Sequence, residues 1–411
     1  VALMLALMAL GVGKGDEVIV PNRTWVATAH AALLLGASVT LVDCLSDIPV
    51  MDVSQLEARL TARTKAILPV HLNGRAASSG RGSPPQRGRE NARRSSPRSP
   101  TPAMDYEAAA DHLVEMMDRA GVARTVVMPP PQELNQAGGY TYHALLGAIR
   151  KYPGRLYLAA GGGELNPLIQ GTDSAAVTPA LWRRFENLCD EMIRDGARSF
   201  GEMTILHFGL GQNHHFEQSP ADHPLFLLLA DIAARHDMPI DIHWEAVPED
   251  QPLPEALVGL SSANPPTVKS TIPALERLLA HNLNAKIVLV HIGWDNTGHA
   301  EIPLLKRLLD DHPNLTYGLK FVRKQYEPFQ SDNKIADEDL RIRAAWVKFI
   351  SDYPERFVVG ADEFVGIQRS SSERRGPPPS FDDTWNIIRQ LPEDVRAKVG
   401  RDNALRVYGL K

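Results

Sequence analysis

The chain has 411 residues, more than one ordinary domain holds, and its 44% hydrophobic and 23% charged residues are typical of a soluble globular protein. A formal net charge of −5 gives no overall attraction to nucleic acid or to an anionic membrane. The two cysteines lack CxxC-type neighbours, which excludes a disulfide framework and a thiolate metal site. No apolar stretch is long enough to cross a bilayer. A cytoplasmic location is the expectation.

Residues 1–75 have the alternating pattern of an α/β fold. The opening Val-Ala-Leu-Met-Leu-Ala-Leu-Met-Ala-Leu lacks the basic flank and cleavage pattern of a signal peptide, so we interpret it as a buried helix. Short β-branched runs and helical stretches follow, separated by loops of normal length. The predicted strands are 17–21, 39–42 and 66–70, and the predicted helices are 28–35 and 53–60.

Several phrases of this block resemble the DegT-type PLP-dependent sugar aminotransferases. They include Gly-Val-Gly-Lys-Gly-Asp-Glu-Val-Ile-Val-Pro, Thr-Trp-Val-Ala-Thr and Thr-Lys-Ala-Ile-Leu-Pro-Val-His-Leu-Asn-Gly. The resemblance implies that Trp25 matches the aromatic residue that stacks on the cofactor ring. It covers only a fragment of the family's large domain, and the phosphate-binding Gly-Thr, the pyridinium aspartate and the Schiff-base lysine have no match. PLP is therefore not expected as a cofactor, because an electron sink needs those groups to hold and tune it.

Residues 76–102 have a different composition. Arg, Ser, Pro and Gly predominate there, and apart from the prolines no apolar residue is larger than Ala. From Arg75 onward, seven arginines face one acid, Glu90. Such a segment cannot bury enough surface to fold alone, and it has no aromatic residue to stack on a base. It is predicted to be a disordered linker, and the abrupt change suggests a fusion of two unrelated coding pieces.

Residues 103–411 alternate again between short apolar runs and amphipathic helices, the pattern of parallel strands joined by helices. Seven strand–helix units can be counted from Arg124, whereas a closed βα barrel has eight. The predicted fold class is α/β: a (β/α)8 TIM barrel without its native first strand, preceded by the aminotransferase-like fragment and the linker. The predicted strands are 124–128, 155–159, 197–200, 239–243, 286–291, 315–319 and 356–361, and a long helix is predicted at 337–351.

Three of these strands end in side chains that bind metals or transfer protons. Pro-Ile-Asp-Ile leads to His243, Lys-Ile-Val-Leu-Val leads to His291, and Arg-Phe-Val-Val-Gly-Ala leads to Asp362. Because the strands are parallel, the three side chains are expected at one C-terminal edge, where the chemistry of βα barrels takes place. Two imidazoles and a carboxylate there form half or more of a zinc-type site. Core histidines and a structural carboxylate are the alternative interpretation.

The same three strand ends, together with the closing Asn403-Ala404-Leu405-Arg406, resemble the amidohydrolase-related family. These metal-dependent TIM barrels include aminocarboxymuconate-semialdehyde decarboxylase. The resemblance implies a divalent metal, Zn2+ before others, and gives catalytic roles to two of the residues. The implied catalytic residues are Asp362 and His291, and the implied metal ligands are His243, Asp362, His291 and Glu202.

One departure from the family concerns the metal ligands. The family has a His-x-His at the end of strand one, and residues 103–123 do not supply it. The nearest substitute is the run Ala66-Ile-Leu-Pro-Val-His71, which would offer His71 as a further ligand. Other polar and aromatic side chains follow the strand ends and are candidates for binding a substrate, although His223 could instead cap a helix. These candidates are His207, His223, Trp244, Trp294, Asn296 and Lys320.

The expected function is that of a metal-dependent hydrolase acting on a small organic acid, amide or lactone through a metal-activated water. A non-oxidative decarboxylase using the same metal site is the alternative within the family. An inactive fusion remnant that lacks the His-x-His ligands is the alternative from another class. The expected partner is a small-molecule substrate, with no nucleic acid and no membrane, and assembly as a homodimer stays open.

Overall fold

The structure is a computed structural model that describes residues 2–24, 26–44, 51–52, 55–70, 106–131, 141–211, 214–321, 332–362, 365 and 381–410. The chain divides into two compact units, Val1–Pro100 and Thr101–Lys411. The predicted linker at residues 76–102 lies outside the described residues. None of the described helices is long and apolar enough to span a bilayer.

The N-terminal unit contains a parallel sheet of three strands in the order β2–β1–β3. Val18 and Val20 of the central strand are fully buried and pack in one cluster with Leu7 and Ala32. The third strand is shorter than predicted because Pro69 has no N–H with which to continue the ladder. The elements are α1 (Ala2–Ala9), β1 (Glu17–Pro21), α2 (Ala27–Leu33), β2 (Ser38–Val42), α3 (Leu56–Arg59) and β3 (Thr64–Ile67).

The position of β3 corrects one prediction about the barrel. The strand that leads toward His71 pairs with β1, with Ala66 beside Val18 and Ile67 beside Ile19. It is not among the seven strands of the C-terminal sheet, so it does not serve there as a substitute first strand. A short apolar run forms a strand against an available strand edge, and within its own α/β block that edge belongs to β1. His71 itself lies outside the described residues.

The C-terminal unit is built on a curled sheet of seven strands that pair in chain order, all parallel: β4, β5, β6, β9, β12, β13 and β14. All seven predicted strands are present. The strands of the unit are β4 (Thr125–Val127), β5 (Leu156–Gly161), β6 (Ala197–Thr204), β7 (Leu206–His207), β8 (Glu217–Gln218), β9 (Pro239–His243), β10 (Gln251–Pro252), β11 (Thr267–Val268), β12 (Lys286–Ile292), β13 (Leu315–Leu319) and β14 (Phe357–Val359).

Helices connect the strands and cover the outside of the sheet. They are α4 (Tyr106–Ala120), α5 (Tyr142–Lys151), α6 (Asn166–Gln170), α7 (Pro179–Arg194), α8 (Pro224–Arg235), α9 (Ile272–His281), α10 (Ile302–Asp311), α11 (Ala344–Asp352), α12 (Phe381–Ile388), α13 (Glu393–Ala397) and α14 (Asn403–Val407). In α7 the Thr178 hydroxyl accepts a hydrogen bond from the Leu181 N–H, and Pro179 occupies the first turn. The buried residues Phe185, Cys189 and Met192 then recur at helical spacing.

The predicted helix at 337–351 begins only at Ala344. The carboxylate of Asp337 accepts hydrogen bonds from the backbone N–H groups of Asp339 and Arg341, at 3.0 and 2.9 Å. These bonds hold a turn in place of the first helical turns, because short acidic side chains compete for nearby backbone N–H groups. The apolar face of α11 is nevertheless buried, through Trp346 and Phe349.

The sheet is open at its two ends. β4 is the first strand of the pairing order and β14 is the last, and no described strand pairs with the outer edge of either. This agrees with the prediction of a TIM barrel that lacks its first strand. The central strands are the best packed, because Phe200, Ile240 and Leu289 are essentially inaccessible to solvent and belong to one core cluster.

Candidate metal centre

Three donor atoms converge at the C-terminal ends of β6, β9 and β12. Nδ1 of His243 lies 3.0 Å from Oε1 of Glu202 and 3.0 Å from Nδ1 of His291. The third side of the triangle, from His291 Nδ1 to Glu202 Oε1, is 3.7 Å. The three residues form a group whose ligand atoms all lie within 4.8 Å of one another, and two of them are buried.

This triangle fits a small divalent cation. Ligands placed tetrahedrally about 2.1 Å from a zinc ion lie about 3.4 Å apart. The observed separations of 3.0, 3.0 and 3.7 Å lie on both sides of that value. Two imidazole nitrogens that face each other and a carboxylate oxygen are also the donor types that zinc prefers. The residues present therefore fit the divalent metal that the sequence predicts.

The backbone helps to aim two of the side chains. His291 and Asp362 both have positive φ values, 65° and 51°, in a region that residues other than glycine rarely adopt. Each stands where a strand ends and the chain turns into the following loop. Such a conformation costs about 1 kcal/mol or more and persists only where the surrounding structure enforces it. Strained positions of this kind cluster at functional sites, which agrees with the place of both residues.

The electrostatics of the three donors are strongly coupled. Burial alone lowers the pKa of His243, but its contacts with Glu202 and Glu245 outweigh burial and raise that pKa to about 9. Burial lowers the pKa of His291 well below its usual range, and Glu202 offsets this only in part. For Glu202, burial raises the pKa, but the two imidazoles lower it to a net value below normal. The centre therefore holds Glu202 as a carboxylate and His291 as a neutral imidazole.

A second carboxylate orients His243 from its other side. Oε1 of Glu245 lies 3.9 Å from Nε2 of His243, and the Glu245 side chain is almost fully buried. The backbone N–H of Asn296 donates to Oε2 of Glu245 at 3.1 Å, and the Asn296 side-chain amide donates to Oε1. Sequence reasoning missed Glu245. The signal was its position two residues after His243, because alternate residues of an extended chain face the same side.

A charged pair borders the centre beside His291. Oδ1 of Asp362 lies 3.7 Å from Nε2 of His291, and Oδ2 of Asp362 accepts from Nζ of Lys320 at 2.5 Å. Lys320 is buried, and its ammonium group lies 4.3 Å from the centre of the Trp294 ring. Lys320, Trp294 and Asp362 thus lie together beside the three donors, and Asp362, which the resemblance implied as a metal ligand, is not a member of the donor group found among the described residues.

His207 forms another wall. Its ring packs edge-on against the ring of His243, with the centroids 4.7 Å apart, and against the ring of His214 at the same distance. Burial lowers the pKa of His207 well below its usual range. Its Nδ1 atom has no hydrogen-bond partner among the described residues. His207 is therefore a neutral, half-buried imidazole next to His243 of the three converging donors.

Two of the predicted substrate-binding residues have structural roles instead. Nδ1 of His223 accepts from the Leu225 N–H at 3.1 Å and Nε2 donates to the Thr172 carbonyl at 2.8 Å, so this residue caps α8. The indole N–H of Trp244 donates to Oγ1 of Thr271 at 3.1 Å, and Trp244 is buried in the core. For His223 this agrees with the capping role that the sequence left open as the alternative, and closeness to a strand end does not by itself say which way a side chain points. Trp25 lies outside the described residues.

Two families match different parts of the chain. Residues 1–79 match the DegT/DnrJ/EryC1/StrS aminotransferase family, and residues 206–410 match the family described as Amidohydrolase. The UDP-N-acetyl-3-dehydro-alpha-D-glucosamine 3-aminotransferase of Acidithiobacillus ferrooxidans is 55% identical over 73 residues, 18% of this chain and 20% of the relative. The chain thus spans about a fifth of the length of this curated relative.

Two solved structures are among those to which parts of the chain are similar. A DegT/DnrJ/EryC1/StrS aminotransferase from Brucella abortus is 43% identical, with a TM-score of 0.18, and the match covers 19% of this chain and 22% of that one. A 2,6-dihydroxybenzoate decarboxylase from Rhizobium is 16% identical, with a TM-score of 0.44, and the match covers 73% of this chain and 88% of that one.

Proposed function

We propose that the C-terminal unit, in which residues 206–410 match the family described as Amidohydrolase, is a divalent-metal-dependent hydrolase. Its substrate would be a small organic acid, amide or lactone, attacked by a metal-activated water. The observation that carries the proposal is the convergence of Glu202, His243 and His291 at distances suited to one small cation.

The three converging donors would hold the metal, and zinc is the proposed ion. When bound, such an ion lowers the pKa of a coordinated water to about 7 and supplies a nucleophile at neutral pH. Glu245 would fix the ring of His243 in the ligating orientation through its contact with Nε2. A carboxylate that holds a ligating imidazole in this way keeps one nitrogen free for the metal.

Asp362 is the proposed proton carrier. Lys320 engages Oδ2 of Asp362, which leaves Oδ1 directed toward His291 and the three donors. At that position Oδ1 can accept a proton from the attacking water and return it to the leaving group. General acid–base catalysis of this kind contributes about 10²- to 10⁴-fold to a rate. His291 would assist by fixing the position of Asp362 at Nε2.

The walls of the centre suit a small, flat, anionic substrate. The flat Trp294 ring lies against Lys320 and the flat, neutral His207 ring lies against His243, and Lys320 brings one positive charge close to Asp362 beside the donors. Since the ammonium group already pairs with Asp362, an incoming carboxylate would share it. This arrangement supports an organic acid before an uncharged amide.

Non-oxidative decarboxylation at the same metal is the second candidate. One contact favours it: the buried Lys320 ammonium group lies beside Asp362, where it can hold a substrate carboxylate close to a proton donor. In that reaction Asp362 would first take a proton from a water molecule and then pass it to the carbon that loses carbon dioxide. An inactive remnant, short of ligands from the first strand, is the candidate of another class.

Metal content is the decisive measurement. The full chain is loaded with zinc, dialysed and analysed beside His243→Ala and the control His281→Ala, which changes a histidine of α9 that pairs with Asp231. We expect about one ion per chain in the wild type and the control, and less than about a tenth of that in His243→Ala, because affinity falls with each lost ligand. If the wild type binds no metal, the result supports the inactive remnant and contradicts both metal-dependent enzymes.

The products separate the two enzymatic candidates. The zinc-loaded chain is incubated with a lactone, an aryl amide and a hydroxybenzoate, and the release of acid and of carbon dioxide is recorded. Acid release that stops after chelation supports hydrolysis, and carbon dioxide release that stops after chelation supports decarboxylation. Turnover that survives both chelation and His243→Ala would contradict either metal-dependent reaction.

A further inference from the structure

A second group of metal-binding side chains lies on α5 and α7, two of the helices outside the sheet. Nε2 of His143 lies 3.5 Å from Oε1 of Glu191, and the ligand atoms of His143, Glu191 and Asp195 all lie within 4.8 Å of one another. Among the described residues this is the only group of three besides the metal centre. The two groups share no residue, so the second one is a separate candidate for binding an ion.

The spacing along α7 brings two of these ligands to one face. Glu191 lies in the last turn of α7, and Asp195 is the C-cap residue four positions further on. Residues four apart are neighbours on the surface of a helix, and two ligands at this spacing are also the basis of helical zinc motifs. His143 stands in the first turn of α5 and supplies the third ligand from a different element. An ion bound by all three would therefore join the two helices.

Tyr142 holds two of the three ligands in position. Its hydroxyl donates to Oδ2 of Asp195 at 2.9 Å, and its ring packs against the His143 ring with the centroids 4.0 Å apart. Tyr142 itself is almost fully buried, so both contacts start from a fixed side chain. Outer partners that orient a ligating carboxylate and a ligating imidazole are typical of metal sites. The hydroxyl engages one oxygen of Asp195 and leaves the other for an ion.

A carboxylate next to the group independently points to a cation. Oε1 of Glu164 accepts a hydrogen bond from the Tyr142 N–H at 3.0 Å, but Oε2 is inaccessible to solvent and has no hydrogen-bond partner among the described residues. Burial raises the pKa of Glu164 to about 7, His143 lowers that pKa and Glu191 raises it, so this carboxylate lies within electrostatic reach of both ligands. Burying a carboxylate is costly unless it is paired. A cation bound by the three ligands would offset the negative charge of Glu164 as well as their own.

We propose that His143, Glu191 and Asp195 form a second metal site, which binds a divalent transition ion such as zinc and links α5 to α7. One imidazole and two carboxylates favour zinc over magnesium, because magnesium prefers oxygen ligands. The separation of 3.5 Å between Nε2 of His143 and Oε1 of Glu191 agrees with the distance of about 3.4 Å between tetrahedral zinc ligands. This site does not rest on the proposed hydrolase. Because the side chains of His143 and Glu191 are about half exposed, the ion is bound reversibly and is lost in dialysis.

The test titrates the full chain with zinc chloride in a calorimeter. It compares the wild type, loaded with zinc and dialysed beforehand, with His243→Ala, in which the metal centre is disabled. We expect one further ion per chain in both proteins, with a dissociation constant of about 10 to 100 μM, because three exposed ligands bind zinc more weakly than a complete structural site. If the dialysed wild type retains no zinc but still takes up this ion, the metal centre is contradicted and the second site is supported. If neither protein takes up a further ion, the second site is overturned.

Matched variants show which side chains hold the further ion. His143→Ala removes the imidazole, and Glu191→Gln removes one negative charge at nearly constant size. The controls are His112→Ala, which breaks a pair with Glu115 on α4 at 4.0 Å that belongs to no three-ligand group among the described residues, and Asp190→Asn, which changes the neighbouring acid of α7. We expect both site variants to bind the further ion at least about tenfold more weakly, and both controls to bind it like the wild type, because affinity falls with each lost ligand. Circular dichroism confirms that the variants fold. Unchanged affinity in either site variant, or an equal loss in the controls, would overturn the proposal.

Discussion

The two units of the chain share an α/β design but differ in how well they cover their apolar surface. Of the fourteen exposed large hydrophobic side chains among the described residues, ten lie in the N-terminal unit, although it is by far the smaller. Helix α1 is apolar on all sides, whereas α7 and α10 of the C-terminal unit bury one face and expose a polar one. The ten are Leu3, Leu5, Met8, Leu10, Val26, Leu33, Leu34, Leu41, Leu60 and Ile67.

Because of this difference, the two family matches have different meanings for the two units. The N-terminal match covers about a fifth of its curated relative, and the described residues of this unit leave many large apolar side chains exposed. The C-terminal unit retains seven paired strands and brings three donor atoms together. Chemistry is therefore expected from the second unit alone. Four predictions test this contrast, from the largest expected effect to the smallest.

The largest effect concerns catalysis. Asp362→Asn is expected to lower kcat by about 10²- to 10⁴-fold, because it removes the proposed proton carrier, while zinc content stays unchanged. Trp25→Ala, at the position that would face a PLP ring in the N-terminal relatives, is expected to leave kcat within about twofold, since no cofactor chemistry is expected there. Steady-state kinetics with metal analysis measure both. A large loss of kcat in the Trp25 variant would contradict the expectation that catalysis belongs to the C-terminal unit alone.

Matched leucine substitutions compare the two cores. Leu229 of α8 and Leu7 of α1 are both fully buried, but Leu229 lies in the large barrel core and Leu7 in a small cluster. We expect Leu229→Ala to lower the free energy of unfolding by about 4 kcal/mol and Leu7→Ala by about 2 kcal/mol, because a small, half-open cluster collapses more easily around the cavity. Calorimetry of the full chain resolves the two. Equal losses would mean that the units are packed equally well.

The pKa values of two carboxylates are shifted in opposite directions, so we expect the stability of the two units to depend on pH in opposite ways. Burial raises the pKa of Glu164 in the C-terminal unit from 4.5 to about 7. Hydrogen bonds, first from Thr64, hold the pKa of Glu17 in the N-terminal unit below its usual value. A raised pKa means that stability is lost as pH rises from about 4.5 through about 7. A lowered pKa means the reverse, so the contribution of Glu17 is lost as pH falls below its usual pKa.

Glutamine substitutions isolate these two contributions. Glu164→Gln keeps an acceptor for the Tyr142 N–H, and we expect it to raise stability by about 2 kcal/mol at pH 8 but hardly at pH 4.5. Glu17→Gln is expected to lower stability at neutral pH and to flatten the acid side of the stability profile. Denaturant unfolding across pH measures both. A parallel pH response of the two variants would contradict the assignment.

The smallest expected effect distinguishes His223, a structural histidine, from the histidines of the metal centre. His223→Ala is expected to lower the free energy of unfolding by about 1 kcal/mol, because α8 loses its side-chain cap, and to leave kcat and KM unchanged. His223→Asn, which keeps a capping acceptor, should recover most of that loss. In contrast, α2 of the N-terminal unit begins without a side-chain cap hydrogen bond. A kinetic defect in His223→Ala would instead indicate that His223 takes part in substrate binding or catalysis.

Much of the fold follows from local pattern. Seven apolar runs separated by amphipathic helices were enough to predict seven parallel strands, and the chain order of those runs became their order in the sheet. The same pattern predicted that His243 and His291 share one edge, since parallel strands end on the same side. The missing first strand was also foreseeable, because residues 103–123 offer a helix and no β-branched run ending in a ligand.

What the pattern did not contain is the direction of each side chain and the partner it meets. Trp244 and His223 stand near strand ends but their side chains bond to the surrounding framework, whereas Glu245, which the pattern does not single out, contacts His243. The pairing of Lys320 with Asp362 joins residues 42 positions apart. Alternation along a strand is a local property of the backbone, so the sequence by itself determined the strands and the edge they share. Contacts across that edge depend on how seven strands curl, so only the tertiary structure decided which atoms converge and where the sheet stays open.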